Sequence, residues 1–558
     1  MDFEIDHKNV CWVRIDKKRK ILLTTFLMLI NLEDSEDVLS HEDMLNVFYK
    51  KIEYKKCKHG WMIDFDENYF KGNRFLYDFL NPKTGEVVLN SGKVVTLKKL
   101  NELKALKTVC VKEESLLGFF IAEELKDDSN VENEVIKVGS AIDESILKIL
   151  KEKKSFYLFD IDNERVGSAL RDTVVIDKNN TLNDALLSFY KAMRPGEVAS
   201  IQAGKTVFRS MFFDSNRYDL SDVGRVKLNR RLSSFYPTGY KNTKTSLSKE
   251  DFVAIVKALL KAKDKNMFSD DVDHLSSRRV RSVGELLVNQ CRLSFYKIAK
   301  SLRERLAMLD ANDEVDFYSI FNTKVFVSTL REFFGVSQLS QIVDNLNPLA
   351  KLSHDRRITS MGKGGVVPSR AADTMREVGE SYYGRICPVE TPEGQNIGLI
   401  SYLSVYAKID EHGFIQTPYR KVVKGVVQDE IKYLNADEEE KFNICSYSAS
   451  FDKKNKLIDK NIICRKNCDY ISVKAEEVDY IDVASNQILS VAASLIPFVN
   501  NNDPGRALMG SNMQRQALPL KIAEAPFVGT GMEKQVGTDS MTCVFAKEDG
   551  KVITLESS

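Results

Sequence analysis

Residues 333–421 hold the densest run of chain-breaking residues in the sequence, and no single helix or strand ladder can pass through them. The stretch reads Gly335-Val336-Ser337-Gln338-Leu339-Ser340-Gln341, then His354-Asp355-Arg356-Arg357, then Gly362-Lys363-Gly364-Gly365. It closes with Tyr383-Gly384-Arg385-Ile386-Cys387-Pro388-Val389-Glu390-Thr391-Pro392-Glu393-Gly394-Gln395-Asn396-Ile397-Gly398-Leu399-Ile400. Glycine accepts positive φ and proline fixes φ at the entry to a turn, so this is a tightly folded loop system. Charged and amide side chains stand at nearly every turn position. Successive glycines leave backbone N–H groups able to face an anion, and Lys363 puts a cation beside them. Two readings stay open on these residues alone: a polar connector between domains, or a loop system facing an anionic ligand.

Charge narrows the choice only locally. Lys and Arg number 81 and Asp and Glu number 80, a net charge of +1, so any nucleic-acid surface has to be a local patch. The 558 residues suffice for three or four domains. A hydrophobic share of 43% and a charged share of 29% suit a globular protein. The apolar run Ile21 to Leu32 is too short to cross a membrane, and Met1-Asp2-Phe3-Glu4 lacks a signal-peptide layout. Nine scattered cysteines suit a reducing cytoplasm, the expected location. Cys464 and Cys468 lie closest, but no nearby Cys or His completes a zinc site, so they read as structural.

Along the chain, residues 10–32 read as a strand, a basic turn at Lys17-Lys18-Arg19-Lys20 and a helix. Residues 60–120 read as short strands between turns, and a helix is expected from Glu144 to Lys153. Asp64-Phe65-Asp66 has the aspartate spacing of a polymerase magnesium site. It lacks the third aspartate and the glycine turn, so a strand with outward acids is the better reading. Gly204-Lys205-Thr206 mimics the end of a phosphate-binding loop, but Ala199 stands where its first glycine belongs. The helix through Tyr190 stops at Pro195-Gly196. Ser282 and Glu285 form a capping-box pair opening a helix whose Leu286, Phe295, Ile298, Leu302 and Leu306 make an apolar packing face. Arg278, Arg279 and Arg281 before it could meet phosphate or form salt bridges, and His274 reads as a structural hydrogen-bonder. Residues 421–490 read as antiparallel strands, and 551–558 as a strand by alternation.

A second block, Asp503-Pro504-Gly505-Arg506-Ala507-Leu508-Met509-Gly510-Ser511-Asn512-Met513-Gln514-Arg515-Gln516-Ala517, packs arginines, amides and methionines together. Arginine forks onto phosphate oxygens, and Asn and Gln bond sugar or base edges. A buried polar network is the alternative. Together with Ser337–Gln341, Asp344, Asn347-Pro348-Leu349, His354, Arg356-Arg357 and Tyr383–Ile400, this block resembles the bacterial RNA polymerase beta subunit. Arg217-Tyr218-Asp219-Leu220 and the stretch to Tyr419-Arg420-Lys421 extend the likeness. Departures stand at Ile342, Leu346, Ala350, Thr359, Pro368, Gly379 and Tyr382.

The resemblance implies an α+β multidomain chain of mixed helices and antiparallel sheets. Residues 1–275 would be the lobe, with a variable insertion near 70–160. Residues 276–340 would be a second protrusion segment, and 341–558 the fork region. The flap, the catalytic-centre lysines and the start of the lobe would fall outside it. It implies no catalytic residue and no metal in this chain, with Mg2+ held by the beta-prime subunit. Arg506, Met509, Asn512, Met513 and Gln516 would face the nucleoside triphosphate. Gln338, Gln341, Asp344, His354, Arg357, Thr359, Glu393, Asn396 and Ile400 would form a wall along the RNA–DNA hybrid, the surface that takes rifamycins. Gly362, Lys363, Gly364, Gly365, Arg370 and Arg376 would form the fork loop at the downstream edge of melted DNA. Partners would be the beta-prime, alpha and sigma subunits, template DNA and nucleotides, without a membrane. A non-catalytic lobe–fork module binding nucleic acid or polymerase partners is the competing class, and the flanking coding DNA would separate the two.

Overall fold

Apolar alternation and helical spacing each build one core of the first of two compact units, Met1–Asp270 and Asp271–Ser558. The computed structural model describes all residues except 34–39, 71–73, 76, 124, 127–134, 137, 162–166, 216, 238, 241, 263–270, 309–320, 453–454, 468, 543, 545 and 555–558. Val13 and Ile15 alternate inward on strand Cys11–Ile15, as the sequence predicts. The basic cluster makes a hairpin turn and a further strand, Arg19–Leu22, before helix Leu23–Leu29. Phe26 of that helix sits with its ring 5.1–5.5 Å from Phe208 and Phe212, one turn apart on helix Ile201–Phe212, and from Phe252 of helix Lys249–Lys261. Such aromatic clusters add specific edge-to-face attraction to burial.

The second core lies under a seven-stranded antiparallel sheet. Its spatial order is Val87–Leu89, Phe79–Leu80, Thr108–Val111, Gly60–Asp64, Lys51–Cys57, Ser155–Phe159 and Phe120–Ile121. One expectation changes here. Residues 97–106 form a helix, capped by the Thr96 hydroxyl, because Leu100 and Leu103 recur at a spacing of three and are buried. Glu144–Glu152 is helical, with Asp143 as its cap. Gly204, Lys205 and Thr206 lie inside helix Ile201–Phe212, so no phosphate-binding loop exists there. Asp64 ends a strand with its carboxylate exposed, and Asp66 pairs with Lys50.

Helices Ser221–Arg231 and Lys249–Lys261 are locked by an enclosed ion pair. Arg225 donates to both Asp251 oxygens at 2.8 and 3.0 Å, and the Tyr236 hydroxyl donates to Asp251 at 2.6 Å.

In the second unit the structure departs from the expected packing helix. Helix Val283–Ala307 forms, but Ser282 makes no side-chain cap, because Glu285 is held at 2.5–2.6 Å by Arg279. Of its apolar face only Ile298 is buried; Phe295 is 59% exposed and meets Phe326 of helix Lys324–Val336 at 5.4 Å. Arg278 bonds Ser360 and lies 3.5 Å from Asp273, so these arginines form salt bridges and scaffold contacts. His274 accepts from the Ser276 amide and pairs with Glu440, as a structural residue does.

A second sheet runs in the order Lys408–Ile409, Ile415–Val423, Tyr480–Asp482, Ile444–Cys445, Asn461–Lys466 and Asp469–Lys474, with Val426–Asn435 also pairing Ile415–Val423. It is antiparallel except where Ile444–Cys445 runs parallel to Tyr480–Asp482. Residues 551–554 form no strand and are exposed; 555–558 and Cys468 lie outside the described residues.

Asp251→Ala strands the Arg225 charge in an enclosed site, at a cost of about 3–5 kcal/mol. Hydrogen exchange over residues 221–261 checks this. Unchanged amide protection would show that the ion pair carries no local stability.

Candidate functional site

The loop system of residues 333–421 is held at both ends by polar side chains aimed at backbone. Arg385, 1% exposed, donates to the carbonyls of Ile415, Ser381 and Leu434 at 3.0–3.1 Å and pairs with Glu439 at 2.6 Å. Gly384 before it has φ of 67°, and a Cβ there would lie 2.4 Å from Thr417 Oγ1, so only glycine fits. Strand Arg357–Thr359 pairs antiparallel with Ile400–Tyr402, setting Thr359 opposite Ile400.

Asn347 ties two helices together. Its Oδ1 accepts from the Ala350 amide at 2.7 Å, capping helix Pro348–Asp355. Its amide nitrogen donates to the carbonyls of Gln514, Arg515 and Ala517 at 3.0–3.3 Å. Those contacts help satisfy the carbonyls that the end of helix Pro504–Arg515 leaves unpaired. Asn512 fixes the same helix to the loop by donating to Thr391 O at 3.1 Å.

Helical spacing puts Arg506, Met509, Asn512, Met513 and Gln516 on one face. With Pro392, Glu393 and Arg515 they line an open cavity of about 650 Å³. Asp503 does not neutralise Arg506: its Oδ2 accepts from the Gly505 amide at 3.0 Å. The Arg506 guanidinium is exposed and touches only the Met509 sulfur, at 3.5 Å, among its hydrogen-bond contacts in the described residues. An arginine so placed keeps its fork of donors for an anion.

Of the expected wall, Gln341, Asp344 and His354 form a second cluster, whereas Glu393 lines the cavity and Arg357 bonds Tyr402. His354 Nδ1 accepts from the Asp344 amide at 3.2 Å, which leaves the ring proton on Nε2, 3.0 Å from Gln341 Oε1. Gln338, Gln341 and Asp344 are exposed, and Thr359, Asn396 and Ile400 are half-buried.

The fork-loop residues divide. Gly362 and Gly364 take φ of 115° and 82°, and a Cβ on Gly365 would lie 2.4 Å from Ser360 O. The amides of Gly365 and Val366 are used inside the turn, by Gly362 O and Ser360 O. The glycines therefore serve the turn, and Lys363 and Arg370 stand exposed. Arg376 is a scaffold residue: it donates to the carbonyls of Gln395, Ile397 and Pro368 at 2.7–2.8 Å.

The spacing of the sequence does not mark a further network beneath the cavity. Arg515 and Arg357 (Nε at 3.2 Å) both donate to the Tyr402 hydroxyl, and their guanidinium carbons lie 4.7 and 5.6 Å from the Tyr402 ring. Arg515 also donates to Asn512 Oδ1 at 2.5 Å. Glu390, 1% exposed, stands 3.7 Å from Arg515 Nε. Burial raises the Glu390 carboxyl above its ordinary value of 4.5, against the opposing pull of Ser490, Arg515 and Arg357. The arrangement sets Asn512 and Arg357 rigidly. Its residues are 113 positions apart at the Arg515–Tyr402 contact, too far for any local pattern.

Raised in the fold, the Glu390 carboxyl binds its proton more tightly than in the unfolded chain. It therefore subtracts stability as pH rises from 4.5 through the raised range. Glu390→Gln should flatten that limb, so that the variant gains on the native chain with rising pH and then runs parallel. Melting measured from pH 4 to 8 checks it; a difference independent of pH would remove the assigned shift.

Three family models match. RNA polymerase Rpb2 domain 2 matches residues 142–281, RNA polymerase Rpb2 domain 3 matches 341–409, and the RNA polymerase beta subunit external 1 domain matches 419–484. Proteins named DNA-directed RNA polymerase subunit beta are similar along the chain. That of Chelativorans sp. (strain BNC1) is 42% identical over 100% of this chain and 40% of its own length. That of Ehrlichia ruminantium (strain Welgevonden) is 42% identical over 99% and 39%. The chain thus spans about 40% of the length of the curated relatives it matches.

Proposed function

Because the chain carries three domains of the RNA polymerase beta-subunit family, we propose that it is a positioning part of DNA-directed RNA polymerase. The cavity under helix Pro504–Arg515 takes the triphosphate side of an incoming nucleotide, and the Gln341–His354 wall faces the RNA–DNA hybrid. The observation that carries this reading is the uncompensated Arg506 guanidinium on a cavity of about 650 Å³. A phosphate is the ligand that such a fork of donors recognises best.

The chemistry is in-line phosphoryl transfer, for which positioning and preorganised charge supply much of the rate. The residues here do not fit a resident metal. Glu393 is the single carboxylate on the cavity, and hard divalent cations need several oxygen ligands. Magnesium would be held by a beta-prime subunit and would supply charge neutralisation at the transferred phosphoryl group. Arg506 orients the triphosphate, Asn512 is held by Thr391 and Arg515, and Met509 and Met513 give the face between them an apolar surface. The lobe, protrusion and fork assignments (residues 1–275, 276–340 and 341–558), the sigma and alpha partners and a cytoplasmic location belong to the same proposal. Alone, the chain should not extend a primer.

Arg506→Lys in an assembled polymerase should raise the nucleotide KM and lower kcat/KM by roughly tenfold, because a lysine cannot grip two oxygens in one plane. DNA binding should stay near normal. Single-nucleotide addition on a preformed RNA–DNA scaffold decides it, and unchanged KM and kcat would return Arg506 to a structural role.

Ile342, 96% exposed on the wall, offers no aromatic face, and Thr359 adds a methyl group. Thr359→Ser with Ile342→Phe should strengthen rifamycin inhibition by about 1–3 kcal/mol. Equal inhibition of the two enzymes would remove the wall from drug binding.

A further inference from the structure

Seven described cysteines are unbridged, and four of them lie in two close pairs. Cys57 ends strand Lys51–Cys57, and Cys110 lies on strand Thr108–Val111; strand Gly60–Asp64 runs between the two. Register puts both thiols on one face, since Cys57 is opposite Gly60, Cys110 is opposite Met62, and Gly60 and Met62 share that face. Gly60 has no side chain to fill the path between them. It cannot acquire one, because its φ is 135° and a Cβ would lie 2.2 Å from Val111 O. The two sulfurs accordingly meet at 2.7 Å.

The two thiols differ in access. Cys110 is fully buried, whereas Cys57 is partly exposed at the hairpin that continues into Lys58 and His59. Lys55 and Lys56 precede it. Access to solvent is the first condition for thiol reactivity, and of the two sulfurs only Cys57 meets it. Burial and the hydrogen bond to Cys57 push the Cys110 thiol up, so it keeps its proton until a partner sulfur is activated.

We propose that Cys57 and Cys110 are a modification site, a thiol pair that a hydroperoxide oxidises to a disulfide across the hairpin of the first unit. The Cys57 sulfur attacks a peroxide oxygen and the O–O bond breaks. This leaves Cys57 as a sulfenic acid, and the departing hydroxide takes the thiol proton as water. The Cys110 sulfur then attacks the Cys57 sulfur. The S–S bond forms, the S–O bond breaks, and the Cys110 proton leaves with the hydroxide as a second water. Two thiols lose two electrons and the peroxide gains them. The sulfurs start at 2.7 Å, and because a third strand separates their backbones the bond of about 2.05 Å forms with an inward movement of the hairpin end that carries Cys57. A reducing thiol reverses the link by exchange at the accessible Cys57 sulfur.

Cys445 and Cys464 provide the internal comparison. They are directly opposite across an antiparallel pair, yet both are buried to 1% or less. Proximity alone would oxidise both pairs; access selects Cys57–Cys110.

The test treats the native full-length chain with hydrogen peroxide, alkylates the remaining thiols and maps linked peptides by mass spectrometry with and without reductant. The expected result is a reductant-sensitive Cys57–Cys110 link, with Cys445 and Cys464 recovered alkylated after unfolding. Cys57→Ala should abolish the link. Cys110→Ser should leave Cys57 as a sulfenic acid that a dione probe traps; Cys57→Ala makes no demand on the core if Cys110→Ser folds poorly. Cys57 and Cys110 both recovered as thiols, or peroxide linking the Cys445–Cys464 pair at least as fast, would overturn the proposal.

Discussion

A single guanidinium anchors the second unit. Arg385 is enclosed, and its donors reach Ser381 in the loop and Ile415 and Leu434 on the paired strands Ile415–Val423 and Val426–Asn435. A buried charge is tolerated only when its donors are satisfied and a counter-charge is near, and Glu439 provides that charge. The arrangement leaves the loop from Ser381 to Ser404 little choice of position against the sheet. Arg385 O accepts from Ser404 N, and Cys387 N donates to Tyr402 O, so both sides of the loop return to this anchor.

The cavity inherits its rigidity from there. Tyr402 leaves the anchored loop and receives Arg357 and Arg515; Thr391 receives Asn512; Asn347 donates to the carbonyls at the end of the cavity helix. Asn512 and Arg515 of that helix are thus held by polar contacts with backbone and with one tyrosine. The single guanidinium left exposed toward the cavity without an ion pair is Arg506, among the described residues that line it. Arg376 illustrates the opposite fate. The resemblance implies that it faces nucleic acid, but its donors are consumed by three carbonyls that close the loop, where a Cβ on Gly398 would lie 2.5 Å from Arg376 O.

Local signals named most elements correctly. The Pro195-Gly196 break located the end of helix Leu182–Met193, helix Glu144–Glu152 stands where the sequence predicts one, and the turn residues located the loop system. Helix Leu97–Leu106 was missed because its lysines obscure a two-leucine stripe. Glu285 was misassigned because a capping carboxylate and an ion-pairing carboxylate look alike in sequence, and Arg279 was the stronger partner. The wording of the two long blocks, which no periodicity explains, carried the family and the five cavity residues.

By itself, the sequence determined which residue types could serve an anion and where the chain had to turn, since those follow from side-chain chemistry and φ preferences of neighbours. Tertiary structure alone decided which arginines kept donors free. Arg506 kept its donors because Asp503 was occupied by a helix cap; Arg376, Arg385 and Arg515 lost theirs to partners far away in sequence. Competition for a limited set of acceptors is a property of the folded neighbourhood, and no reading of adjacent residues contains it.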